Sequence, residues 1–476
     1  MTKADLDLCY LPASDVLSRF RARTLSPVEY LDNLIARADE TEPKINAFTA
    51  THYDKAMDHA KAAEARYAKG ADDLRPLEGL PIAMKDEVDL VGEVVTHGSL
   101  YYKDNVATET QYAVQRLLDA GAYYHAQTAT PEFCCAGTTD TKIHGVTRTP
   151  WDLRYTCGGS SGGSGATLAA GTAPLATGSD IGGSIRIPAA CCGVVGYKPP
   201  YGRNPENSAF AYDMYAVIGP MGRTVQDVAM MQNIMCGPHP LDNASIRPKY
   251  DIPMTHKDLK GVKIAWSMDL KFFEIDDHVR ANTLRTIDVL KSLGAELVEV
   301  DVAWTAQAEH AVNVYLDHLF GGYMASVVAT DPSLATPWAE YCVKNNAKTT
   351  SIDFYNAYEA QMEMGRSFGA VFEQYDAFIC PTMGYHEITA DQHPDDDIVI
   401  NGKSVDKMYG WTLCHPFNML GRCPVLSVPS GIGGNGLPTS IQIVARHLDD
   451  ERVFRVGQAL QDADPWLNRA NNRPVI

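Results

Sequence analysis

Residues 158–199 read GGSSGGSGATLAAGTAPLATGSDIGGSIRIPAACCGVVGYKP, and the first eight contain only glycine and serine. Runs of that composition are ordinarily flexible connectors between domains. The flanks argue against a connector here. Ala122–Gln127 before the run, and Leu175–Gly178 and Val194–Tyr197 after it, have strand character, and Ala166–Ala170 is helix-like. Neither composition nor charge shifts across 158–165, so no domain boundary is expected there.

Further out, strands and helices alternate. Ser26-Pro27-Val28-Glu29 combines a serine cap, a proline in the first turn and a glutamate three residues past the cap, and so opens a helix. Asp54–Ala68 and Thr110–Ala120 follow as helices, with Pro81–Lys85 as a strand between them. Residues 262–267 and Glu296–Val300 are expected strands on either side of a His278–Leu293 helix, and residues 305–375 are mostly helical. Ala377–Cys380, Val425–Val428 and Ser440–Val444 return to strand before a helix over Asp450–Leu460. This alternation predicts an α/β sheet protein.

Several motifs can be tested against the letters. A phosphate-binding P-loop needs a lysine after its last glycine, and Gly165-Ala166-Thr167 supplies none. A dinucleotide fingerprint fails because Gly163-Ser164-Gly165 is followed by Ala166, Thr167 and Leu168. Ser160 meets the nucleophile-elbow pattern only in its bare letters, and Ser184 is followed by Ile185 and Arg186. Ser404-Val405-Asp406-Lys407 spells SxxK with no companion motif. His386, Glu387, Asp391 and His393 lack zinc-protease spacing and are expected to form a solvated acidic loop, so no metal site is assigned.

Taken whole, residues 158–199 resemble the amidase signature family. The likeness rests on Ser160 and Ser184, 24 positions apart, on Asp180-Ile181-Gly182-Gly183 leading into the second serine, and on Arg186, Pro188 and Cys192–Gly196. Upstream, Pro81–Asp86 is similar to the family's lysine strand, with Thr96, Gly98 and Ser99 beyond it. Downstream, Gly219–Met221, Asp376–Pro381, Phe417-Asn418, Pro424 and Gln442–Ala445 agree, so the likeness spans about residues 10–465. Cys157 stands where proline is usual, Gln127 replaces a common lysine and Arg422 a common glutamine.

The resemblance implies a single large α/β domain over residues 1–476, with a twisted mixed sheet covered by helices on both faces. Its core would be residues 75–220, and a helical segment near 305–375 would form the pocket rim. It further implies a Ser-cisSer-Lys triad in which Ser184 attacks, Ser160 relays a proton and Lys85 accepts it, with a cis peptide between Gly159 and Ser160. Serine is a weak nucleophile without a base, and a lysine near pKa ~10.4 must be shifted to serve as one. Burial on the apolar Ile82-Ala83-Met84 strand is the expected means. The backbone N–H groups of Ile181, Gly182, Gly183 and Ser184 lie on one turn suited to an oxyanion. Asp180 and Arg186 are expected to pair and brace that turn. Cys135, Ala136, Gly137 and Ser160 are the candidate substrate contacts. Phe133–Gly137 and Tyr155–Cys157 are apolar enough to suggest an uncharged or aromatic acyl group.

Composition narrows the rest. With 45% hydrophobic and 21% charged residues the chain is globular, and its net charge of −18 with no Lys/Arg run argues against a nucleic-acid partner. No run of about 18 apolar residues could span a membrane, and the N-terminus carries no secretory pattern, so a cytoplasmic enzyme is expected. Eleven cysteines without a CxxC pattern read as reduced, buried thiols. The substrate class is a small-molecule amide, with no cofactor required, and the chain would work as a homodimer or monomer. Two alternatives stand beside this: the amidase subunit of a glutamine-dependent tRNA amidotransferase complex, and a non-enzymatic protein in which 158–165 is a linker.

Overall fold

A computed structural model describes residues 3–70, 72–465 and 472–476. Eleven strands form one sheet, numbered here in chain order: β1 Phe48–Thr51, β2 Pro81–Lys85, β3 Tyr123–Thr128, β4 Leu175–Asp180, β5 Val195–Lys198, β6 Val217–Gly222, β7 Lys263–Trp266, β8 Glu296–Glu299, β9 Ala377–Pro381, β10 Val425–Ile432 and β11 Pro438–Val444. Their spatial order is β1-β3-β2-β4-β6-β5-β10-β11-β9-β7-β8. The pairs β3/β2, β2/β4, β9/β7 and β7/β8 are parallel and the remaining neighbours antiparallel, which makes the sheet mixed. One sheet therefore runs through a single α/β domain.

Side-chain alternation sends each strand into two layers. On β9, Ala377 and Ile379 pack with Leu426, Ile441, Ile443, Val453 and Leu460 on one face. Phe378 and Cys380 pack on the other, against Val312, Tyr315, Phe368 and Phe417. That second face is covered by the Gln307–Val328 and Ser351–Phe372 helices. On β2, Ile82 and Met84 join Leu17, Leu34, Leu117 and Met231, whereas Ala83 joins Ala166, Ala169 and Ile185. Lys85, two residues on, shares the Ala83 side.

The Gly/Ser run is no linker. All eight residues are buried, and Gly162–Ala170 forms a helix between the sheet and the Arg186–Cys192 helix. Only glycine, serine, alanine, threonine and one leucine fit a helix with no solvent face.

Candidate active site

Lys85 ends β2 with its side chain wholly inside the protein. Its Nζ donates to Ser160 Oγ at 2.8 Å and to Ser179 Oγ at 2.8 Å. Glu87 Oε2 lies 3.1 Å from the same nitrogen. The backbone N–H of Lys85 donates to Thr177 Oγ1 at 2.9 Å, which fixes the end of β2 against β4. Burial alone would raise the Glu87 carboxyl. The Lys85 charge and hydrogen bonds from Cys134, Ser179 and Lys85 outweigh it and hold Glu87 below the usual carboxylate range.

The Gly159–Ser160 peptide is cis. A Cβ on Gly159 would sit 2.5 Å from Ala136 O and 2.8 Å from Thr138 O, so only glycine lets the two backbones pass. This contact lays the Cys135-Ala136-Gly137 segment alongside Ser160. Ser161 N–H donates to Ser184 O at 3.1 Å, joining the two serine segments. Ser184 keeps 8% of its surface, and its hydroxyl has no hydrogen-bond partner among the described residues.

The turn between β4 and Ser184 is held by the Asp180 carboxylate. It accepts from Gly183 N–H at 2.8 Å and Ile185 N–H at 3.2 Å, and from Arg186 Nε at 3.0 Å and Nη2 at 3.1 Å. Arg186 Nη1 continues to Cys414 O at 2.9 Å and Gln442 Oε1 at 2.8 Å, and Asn418 Nδ2 returns to Asp180 Oδ1 at 2.8 Å. Both charges are fully buried. Burial opposes the Asp180 charge, but Arg186 prevails and keeps the carboxyl low. Gly183 at φ +127° admits no side chain, since a Cβ would meet Cys414 Cβ at 2.5 Å. Its N–H, expected to face an oxyanion, is instead given to Asp180. The N–H groups of Ile181, Gly182 and Ser184 make no hydrogen bond among the described residues.

Beside this turn lies a cavity of about 50 Å³, open to solvent, whose walls include Cys135, Asp317, Tyr341, Asp406 and Tyr409. The Tyr409 ring also covers Gly182, where an added Cβ would meet it at 3.0 Å. Gly137 packs on Trp411, behind the cavity wall. Phe133 lies in an aromatic cluster with Tyr101, Tyr102 and Tyr323. Tyr155–Cys157 are not cavity residues: Tyr155 pairs with Thr389, and Cys157 is buried against Thr147 and Cys192. Two carboxylates, Asp317 and Asp406, line the cavity together with Leu316, Phe320, Met324 and Met408.

Gln127 turns to His52 and the Val94 carbonyl, and Arg422 lies over the Tyr201 ring. Ser404 is exposed on a Lys403–Val405 strand, and Lys407 bonds Asp395 O. His386 is buried, not solvated, while Asp391 and His393 are exposed. Among the described residues, no group of three His, Cys, Asp or Glu side chains could hold a metal ion. Glu87, Ser179 and Tyr409 were not singled out from the sequence. Ser179 could have been, since it precedes Asp180 on the strand parallel to β2.

The Amidase family model matches residues 29–454, through every segment just described. The chain belongs to the amidase signature family. This family member is 32% identical to the acylamidase of Rhodococcus erythropolis, over 97% of each chain. It is also 32% identical to one of the subunits of the glutamyl-tRNA(Gln) amidotransferase of Roseiflexus sp. (strain RS-1), over 98% of this chain and 99% of that one. A crystal structure of a bacterial aryl acylamidase of the amidase signature family superposes with a TM-score of 0.88 at 26% identity, covering 96% of this chain and 97% of the other.

Proposed function

We propose that this protein hydrolyses a small carboxamide through an acyl-enzyme on Ser184. The observation that carries the reading is the buried Lys85 Nζ at 2.8 Å from Ser160 Oγ, beside the segment hydrogen-bonded to Ser184. Lys85 Nζ accepts the Ser160 proton while Ser160 accepts that of Ser184, and Ser184 Oγ attacks the carbonyl carbon. The tetrahedral oxyanion is received by the N–H groups of Ile181, Gly182 and Ser184, with Gly183 held by Asp180 in support. Each such donor contributes about 3–4 kcal/mol to barrier lowering. The proton returns through Ser160 to the departing nitrogen, the C–N bond breaks, and water attacks the ester by the same relay. Asp180 and Arg186 fix the turn and take no part in proton transfer. Cys135, Ala136, Gly137 and Ser160 bound the substrate, and the helices of 305–375 form the outer rim.

An alkyl fluorophosphonate should label one residue, Ser184, read by peptide mass spectrometry. Labelling elsewhere, or labelling that survives Ser184→Ala, overturns the assignment.

The equal identity to an amidotransferase component supports a second reading, an amide-hydrolysing subunit of a larger complex. The purified chain decides: anilide hydrolysis without partners favours the first reading, and glutamine hydrolysis that needs partners favours the second. No helix of the described residues is long and apolar enough to cross a membrane. A cytoplasmic setting fits eleven free thiols, and light scattering on the purified chain distinguishes homodimer from monomer.

A further inference from the structure

The Gln307–Val328 helix carries Glu309, Asn313 and Asp317 at intervals of four, one stripe of its surface. Asn313 and Asp317 line the cavity, and so does Asp406, just past the Lys403–Val405 strand. Glu309 Oε1 and Asn313 Oδ1 are buried and accept no hydrogen bond among the described residues. The Asp317 carboxylate has no hydrogen bond or ion pair there either. Burial first, then Asp406, push Asp317 up to about 6 and Glu309 up to about 7. One Asp406 oxygen caps its own turn, accepting from Met408 N–H at 3.0 Å and Tyr409 N–H at 2.8 Å. Its second oxygen is left over.

Among the described residues, no group in the walls donates to Glu309 Oε1, Asn313 Oδ1 or the Asp317 carboxylate. Among the described residues, those lining the cavity include no lysine, arginine or histidine, and Asn345 is the neutral amide there besides Asn313. Lys348, the positive charge acting on Asp317, is exposed and donates to Asn345 Oδ1 at 2.9 Å. Buried acceptors without donors are unfavourable, by about 1–3 kcal/mol each, and native interiors rarely leave them so. An anionic group would add like charge, and an apolar one would leave the oxygens unpaired. A cation with several N–H donors satisfies both the charge and the orphan oxygens, and the Tyr341 and Tyr409 side chains in the same walls add aromatic surface of the kind that attracts cations.

We propose that this cavity holds an ammonium or guanidinium group of the substrate, with Asp317 and Asp406 as its counter-charges and Asn313 as a hydrogen-bond acceptor. The preferred substrate is therefore an amide that carries a cation, in place of the uncharged acyl compound expected from the sequence. That the cation belongs to a substrate rests on the amide-hydrolase reading; the cation site itself does not.

The test is isothermal titration at pH 8 with hexylamine and with 1-hexanol, matched in length and differing in charge. Hexylamine should bind the full chain about ten-fold or more tightly than hexanol. Asp317→Asn should cut that preference, and Asp317→Asn with Asp406→Asn should abolish it. Equal binding of the two probes, no binding of hexylamine, or a preference unchanged in Asp317→Asn overturns the proposal. The single variant suffices if the double one does not fold, because the Asp317 side chain holds no other group in place. Failure of the hydrolase reading shows separately, as absent fluorophosphonate labelling of Ser184 with the amine preference intact.

Discussion

Lys85 has no surface in contact with water, so its nitrogen must find every partner within the fold. It finds Ser160, Ser179 and Glu87, and these three come from three separate stretches of chain. Lys85→Ala keeps the hydroxyls and removes the only amine among them. If Lys85 is the base, turnover of a test anilide should fall by about 10²- to 10⁴-fold while the circular dichroism spectrum stays that of the folded protein. Activity close to the parent would assign the proton to another group. Lys85, Ser160 and Ser184 could be picked from the sequence because their order and spacing match a family pattern. Glu87 could not. It stands two residues beyond the last paired position of β2, where strand alternation no longer dictates a direction, and its place beside Lys85 depends on Cys134 and Ser179 from elsewhere.

At the scale of elements, the turn from β4 to the Arg186–Cys192 helix is organised by one ion pair without solvent. Arg186→Met fills a similar volume but strands the Asp180 carboxylate in a buried site. Such a loss costs about 3–5 kcal/mol, and a urea titration should show the midpoint falling accordingly. An unchanged midpoint would mean that Asn418 and the backbone N–H groups suffice to hold Asp180. The elements best foreseen are those whose local signals and packing agree. Ser26 caps the Pro27–Ile45 helix with a full capping box, β2 occupies Pro81–Lys85 as expected, and the Asp277–Ser292 helix stops before Gly294. β6 was missed because Val217–Gly222 contains a proline and two glycines, which argue against a central strand. It is central nonetheless, antiparallel to both β4 and β5. β1 is four residues long, and its pairing with β3 is a long-range contact that no local pattern announces. The acidic cavity was missed for a related reason. Glu309, Asn313 and Asp317 lie at helical spacing like any solvated face, and only the fold brings Asp406 near them.

For the whole molecule, the cysteines decide how stability responds to alkali. All eleven are free thiols and ten of them are buried. Burial chiefly pushes Cys9, Cys236 and Cys423 up to about 11, and Cys134, Cys157 and Cys414 up to about 12. The unfolded chain gives up these protons near pH 9, whereas the folded chain keeps them. Their contribution is therefore complete below pH 9 and is lost as pH rises toward 11–12. Lys198, held down to about 8 by burial, acts oppositely between pH 8 and 10.5, but it is one group against six. The melting temperature should fall steadily from pH 9 to 10.5, and a flat or rising profile would contradict this account.

The far edge of the sheet sets a different limit. β8, Glu296–Glu299, is the last strand and is mostly exposed, with a glutamate at each end and Val298 turned outward. Two such edges brought together would align carboxylates against carboxylates, a device that keeps open sheets from extending into one another. Growth by adding strands there is therefore disfavoured. A second copy approaching this edge meets the carboxylates of Glu296 and Glu299, so an edge-to-edge pairing there starts with like charges brought together.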